Sequence, residues 1–169
     1  MKIEILQISI EEKSVLQNLL ELYNYDCSQY EESDVNNYGL YGYKYLDHYW
    51  TEKNRFPFLI KVDNKIAGFI MIDDYKYYEN SDTKYSISEF FIMYKYRNKG
   101  IGKYAVKEIT NKYKGKWQLG YNPKNIIGKK FWNKTINEIT KGKYEYIKND
   151  QTLRYEDGTY SEVLIFETE

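Results

Sequence analysis

The chain has 169 residues, 42% hydrophobic and 30% charged, with 25 basic and 25 acidic residues in balance. That length suits one domain with a substantial core, and with no 18-residue apolar run or leading signal-like segment the expected location is the cytoplasm. Cys27 is the only cysteine, which excludes an internal disulfide or a cysteine-rich metal site, and a Ser/His/Asp triad could form only around the single His48.

"KIEILQIS" reads as an opening strand. Ser9 with Glu12 three residues on is a capping box, and Val15, Leu16, Leu19, Leu20 and Tyr23 then fall on one helical stripe. From Ser33 to Trp50 the text is glycine-punctuated and aromatic without a clean period, which predicts a loop with a short helix near Leu46 to Trp50. "FPFLIKV" and "KIAGFIMIDD" flank Asp63-Asn64, a pair suited to a tight antiparallel hairpin, and their apolar middles predict sheet faces covered on both sides. A third strand, "YSISEFFIMY", follows a polar loop. A helix with Ile101, Ala105 and Ile109 inward comes next, then the strand "WQLGY" and a helix starting at Asn122, with Pro123 in its first position. "YEYIK" and "SEVLIFE", separated by an Asp157-Gly158 turn, close the sheet.

Charge is uneven along this order. From Lys95 to Lys134 there are twelve basic residues opposed only by Glu108, a net +11 that leaves −11 elsewhere. Such segregation implies an anionic partner near "RNKGIGKYA", where Gly100 and Gly102 stand at the start of a helix. Glycine is costly in a first helical turn unless backbone N–H groups must approach something closely, and phosphate is the usual candidate. A Walker loop ending in Gly102-Lys103 would need Ser or Thr at position 104, which is Tyr. A dinucleotide fingerprint fits Gly100, Gly102 and Ala105 but wants an acidic residue about 20 positions on, and none lies between Glu108 and Glu138.

Arg97 with the two glycines makes R-x-x-G-x-G between a strand and a helix, and here the sequence resembles the GNAT N-acetyltransferase superfamily. The similarity continues in "NPKNIIGKKFW", where Asn125, Gly128 and Trp132 occupy the places of that family's Asn, small residue and usual Tyr. It covers essentially the whole chain. The resemblance implies an α/β (α+β) single domain over residues 1–169. Its mixed, mostly antiparallel sheet has about six to seven strands, with about four helices on both faces and a splay between the fourth and fifth strands. It also implies acetyl-coenzyme A as cosubstrate and no metal. Asn98, Lys99, Gly100, Ile101, Gly102 and Lys103 would take the pyrophosphate through backbone N–H groups, together with Arg97. Backbone groups of Ile92 and Met93 would hold the pantetheine arm and polarise the thioester, and Asn125 and Trp132 would border the cofactor from the next helix.

Transfer to an amine then needs a base and an acid. Glu89, on the cofactor strand, is the candidate base. Trp132 cannot be the acid because an indole N–H does not serve, which leaves Tyr121 or water. The aromatic segment Asn37 to Trp50 is placed by the resemblance at the acceptor end, with Tyr38, Tyr41 and Tyr43 as faces that attract a cationic amine. The implied partner is a small-molecule or protein amine, without a membrane and with nucleic acid as the weaker expectation. A homodimer follows by analogy only. A second reading is a non-catalytic domain that senses acetyl-coenzyme A or binds nucleic acid through the lysine-rich face, and the missing Tyr favours the sensor.

Overall fold

The computed structural model describes all 169 residues. After β1 (Ile3–Gln7), the capping box forms as the sequence predicts, with the Ser9 N–H donating to Glu12 Oε2 at 3.4 Å. The first turn winds as a 3-10 helix over Ile10–Glu12 and continues into α1 (Lys13–Cys27). Leu16, Leu19 and Leu20 are buried from α1, each contributing about 1.5–3 kcal/mol of apolar burial, and Val15 and Tyr23 pack beside them. The Ser33 to Trp50 segment is irregular up to the one-turn α2 (His48–Thr51).

β2 (Phe56–Val62) and β3 (Lys65–Asp73) are joined through Asp63 and Asn64, whose φ values of 47° and 63° are those of the two-residue hairpin turn expected there. β1 pairs antiparallel with β2, and the Asp63 carboxylate accepts from the Lys2 N–H at 2.8 Å. Both hairpin strands are buried almost without alternation, the pattern of strands covered on two faces. β4 (Tyr85–Ile92) is followed by α3 (Ile101–Lys112), with Ile101, Ala105, Val106 and Ile109 all buried. β5 (Gly115–Tyr121), α4 (Ile126–Thr140), β6 (Tyr144–Ile147) and β7 (Glu162–Thr168) complete a seven-stranded mixed sheet, in the order β1-β2-β3-β4-β5-β7-β6.

β4 and β5 are parallel, and their register runs only from Tyr85↔Trp117 to Ile87↔Leu119, so the expected splay begins there. β7 lies antiparallel to both β5 and β6. The Asp157-Gly158 turn is present, closed by an Arg154↔Tyr160 bridge, but it sits inside the long connection between β6 and β7 and does not join them directly.

One helix start differs from the sequence expectation. The Asn122 carboxamide accepts from the Lys124 N–H at 3.0 Å, and the Asn125 N–H returns to the Asn122 carbonyl, which puts Pro123 inside a turn. The N-cap of α4 is Asn125, whose Oδ1 accepts from the Gly128 N–H at 2.7 Å.

The chain divides into two compact units. The first is Met1–Met71 with Glu89–Ile101, and the second is Ile72–Ser88 with Gly102–Glu169. The first is built on the α1 leucines with Leu46, Tyr49, Leu59, Phe69, Met71 and Phe91. In the second, Leu153, Val163 and Ile165 pack with Tyr77, Tyr78 and Ile147. No helix is long and apolar enough to cross a membrane.

Candidate active site

The glycine turn begins where β4 ends. Tyr94–Tyr96 makes a single 3-10 turn, Arg97 is extended, and Asn98 and Gly100 then adopt φ values of 61° and 77° before α3 starts at Ile101. Asn and Gly reach that left-handed region at least cost, and a Cβ at Gly100 would meet nothing within 4 Å. The requirement at Gly100 is therefore conformational. Ile101 is buried and anchors the helix, while Asn98, Lys99 and Gly100 are exposed beside it. A first helical turn whose N–H groups have no intrahelical partner, behind an open loop of this shape, fits a polyanion such as a pyrophosphate.

Five of the twelve basic side chains from Lys95 to Lys134 pair with acids of the protein. Arg97 Nε donates to the Ile92 carbonyl at 2.8 Å and its Nη2 to Asp26 Oδ2 at 2.7 Å, with the guanidinium 5.7 Å from the ring centres of Phe91 and Tyr94. Arg97 thus braces the turn against β4 and α1. In the second unit Lys103 pairs with Glu138 at 2.7 Å. Lys116, Lys124 and Lys129 likewise meet Asp82, Asp157 and Glu162. All five of these acids lie outside the +11 segment in sequence.

At the end of β4 the backbone is also constrained. The Met93 N–H donates to the Ala67 carbonyl, and the Met93 carbonyl accepts from the Tyr96 N–H, both at 2.8 Å. A Cβ on Gly68 would lie 2.0 Å from the Phe91 carbonyl oxygen, so β3 and β4 approach more closely than any side chain at position 68 would allow. Sequence reasoning passed over Gly68, although a glycine inside an apolar strand is the signal for such an approach.

Glu89 and Tyr43, two of the sequence candidates, come together. The Tyr43 hydroxyl donates to Glu89 Oε1 at 3.1 Å. The Tyr23 hydroxyl on α1 lies beside Glu89 and Cys27, and burial first, then these two neighbours, push Tyr23 well above the usual phenol range. Its ring meets Phe69 and Phe91 edge-on, with centroids 5.7 and 6.0 Å away. Burial, with Glu31 next in weight, pushes the Cys27 thiol up to about 12, which leaves it protonated and inert. In the sequence Tyr23 is one member of a helical stripe. Its hydroxyl is the hint that this position needs a polar partner.

The loop before Tyr43 is held by α1. Glu21 accepts the N–H groups of Tyr41 and Gly42 at 2.7 and 2.8 Å, and the Asn24 carboxamide donates to the Gly42 carbonyl at 3.0 Å. Asn36 Oδ1 accepts from the N–H groups of Tyr38 and Leu40. Tyr38 is 88% exposed, and Tyr41 is half-buried.

In the second unit, Tyr121 is buried and its hydroxyl accepts from Asn133 Nδ2 at 2.7 Å. Burial pushes it far above the usual phenol range, so it stays neutral and keeps its proton. Burial works to raise the Glu162 carboxyl as well, but hydrogen bonds from Lys129, Tyr146 and Tyr121 outweigh it and hold Glu162 below the usual range. Trp132 is 8% exposed, against Phe131. The Asn125 carboxamide oxygen is used as the cap of α4.

The acetyltransferase (GNAT) family model matches residues 19–134. The fold is similar to that of an acetyltransferase from Thermus thermophilus, with a TM-score of 0.70 and 11% identity over 99% of this chain and 98% of that one. It is similar to PaiA N-acetyltransferase from Thermoplasma acidophilum in complex with coenzyme A, at TM-score 0.63 and 16% identity over 99% and 100% of the two chains. A third similar structure is spermidine N-acetyltransferase from Vibrio cholerae in complex with coenzyme A and spermine, at TM-score 0.61 and 11% identity over 98% and 95%. No curated protein matches the sequence at a significant level.

Proposed function

Because the chain belongs to the acetyltransferase (GNAT) family, we propose that it is an acetyl-coenzyme A-dependent N-acetyltransferase that acts on a primary amine by direct attack in a ternary complex. The reading takes residues 1–169 as one domain working in the cytoplasm. The observation that carries it is the turn from Arg97 into α3, where two left-handed residues expose backbone at a helix start.

Acetyl-coenzyme A supplies the activated acyl group as its thioester. In this reading the N–H groups of Asn98 to Lys103 bind the pyrophosphate, and the side chain of Arg97 keeps the turn in shape. Ile92 and Met93 border the pantetheine arm, with the Met93 N–H already given to the Ala67 carbonyl, and Asn125 and Trp132 are the cofactor candidates of the second unit. Glu89 takes the amine proton on a carboxylate oxygen, directly or through water. The proton that the departing sulfur needs comes from Tyr121 or from water, and burial, which raises the Tyr121 hydroxyl far above the usual phenol range, makes water the better donor. Tyr38, Tyr41 and Tyr43 offer aromatic surface to an incoming ammonium group. The coenzyme A-bound and spermine-bound relatives support a small amine as acceptor.

Acetyl-coenzyme A at a hundredfold excess over its dissociation constant is expected to raise the melting temperature by roughly 5–10 °C, since a ligand of the native state shifts unfolding by mass action. Gly102→Glu places bulk and negative charge at the phosphates and is expected to abolish the shift while the variant still folds. Undiminished cofactor binding by that variant would sink the assignment of the turn. A screen of amines with acetyl-coenzyme A, following free thiol, identifies the acceptor.

A further inference from the structure

We propose that Tyr43 is a positioning residue for Glu89: its hydroxyl, delivered by a loop that α1 holds in place, orients the carboxylate and favours its ionised form. The inference rests on the reading of Glu89 as the base and names what prepares it.

Three observations converge. The donor bond from Tyr43 to Glu89 Oε1 is 3.1 Å long and half-buried, where hydrogen bonds to charge are stronger than in water. The ring of Tyr43 packs against the leucine and phenylalanine core of the first unit and meets Tyr45 edge-on at 6.3 Å, which limits its rotation. The backbone immediately before it is pinned, because Glu21 holds the N–H groups of Tyr41 and Gly42 and Asn24 holds the Gly42 carbonyl. Gly42 turns the chain with φ 74°, so the loop enters Tyr43 in a fixed direction.

α1 therefore acts on Glu89 twice, directly through Tyr23 and indirectly through the loop that carries Tyr43. The titratable groups facing Glu89 include Tyr23 and Cys27 from α1 and Tyr43 from the loop, with Glu31 and the Asp26–Arg97 pair beyond Cys27. A donated phenol hydrogen bond favours the carboxylate, and the charge of Asp26 is met by Arg97. Removing a donor therefore shifts Glu89 toward its protonated form.

Tyr43→Phe keeps the ring and removes only the hydroxyl. The acid limb of the pH profile of kcat/KM for the amine is expected to move up by about one pH unit, with roughly tenfold loss below the limb and little at the plateau. The Michaelis constant for acetyl-coenzyme A should stay as in the wild type. Carbon-13 titration of the Glu89 carboxyl reads the same shift without turnover, and circular dichroism shows that the variant is folded. Glu21→Ala frees the loop without touching either partner and is expected to move the limb in the same direction by less. An unmoved limb and an unmoved titration midpoint in folded Tyr43→Phe would overturn the proposal, and so would an aromatic-only role in which Tyr43→Ala alone raises the Michaelis constant for the amine. Full activity in Glu89→Gln would instead remove the base, and the positioning role with it, whatever the titration shows.

Discussion

Glu89 accepts a hydrogen bond from Tyr43 and is joined by Tyr23, while Glu162 accepts from Lys129 at 2.7 Å and from Tyr146, with Tyr121 beside it. Each strand glutamate thus gathers two tyrosines, within its own unit of the chain. At Glu162 a lysine joins the two phenols. An ammonium partner keeps Glu162 an anion down to acid pH and makes it a structural link between β7 and α4. Phenols, the partners seen at Glu89, orient a carboxylate without cancelling its charge. The same residue type on the same kind of element is a strut in one place and a candidate base in the other.

The sharpest way to break this comparison is to make the same change at both sites. Glu89→Gln is expected to lower kcat about 10²–10⁴-fold, the range of general-base contributions, with little movement of the melting temperature. Glu162→Gln is expected to cost about 2 kcal/mol of stability, because a neutral amide then faces Lys129 and loses the charge-assisted bonds. Turnover with the identified amine and denaturant midpoints read the two effects. If Glu89→Gln destabilises as much as Glu162→Gln and turns over normally, both glutamates are struts.

Lys129→Met sharpens the contrast from the other partner. Glu162 is 8% exposed and would keep its charge without its cation, at a cost of about 1 kcal/mol, since the lysine itself is partly open to water. The double variant Lys129→Met with Glu162→Leu should lose less than the two single changes add up to, because neither leaves a buried charge behind. Strict additivity in urea denaturation would mean that the pair carries no coupling.

Local chemistry made much of the fold legible. The Ser9 capping box, the leucine stripe of α1 and the Asp63-Asn64 hairpin turn depend on residues within a few positions of one another, and each stands where the sequence predicts. The turn at Asn98 and Gly100 is local as well. What escaped reading is set by partners far along the chain. Twelve basic residues in one segment suggest a cationic face, yet Asp26, Asp82, Glu138, Asp157 and Glu162 arrive from elsewhere to pair with five of them. Glu21 and Asn24 read as the polar side of a helix and prove to hold a loop 18 to 21 residues away. The cap of α4 lies three residues beyond the one the sequence suggests, because Asn122 and Asn125 are equally good caps in isolation. Only the turn around Pro123 decides between them.

The smallest expected effect follows from the sign of the two shifted groups at the strut. Glu162 is held below its ordinary value of 4.5, so its stabilising contribution is fully present above that pH and is lost as pH falls through its lower, folded value. Lys129 is raised above 10.5, chiefly by its bond to Glu162, so its contribution is present below 10.5 and lost as pH rises through the higher, folded value. Tyr121 and Tyr146 are both raised by burial, and stay neutral across the interval. The stability gap between the wild type and Glu162→Gln should therefore be flat from about pH 5 to pH 10 and narrow by about 1 kcal/mol or less at either end. Melting curves of the two proteins across pH measure that gap directly. A gap that widens on acidification would mean that the folded state favours protonated Glu162, and the strut would then resemble the base it is contrasted with.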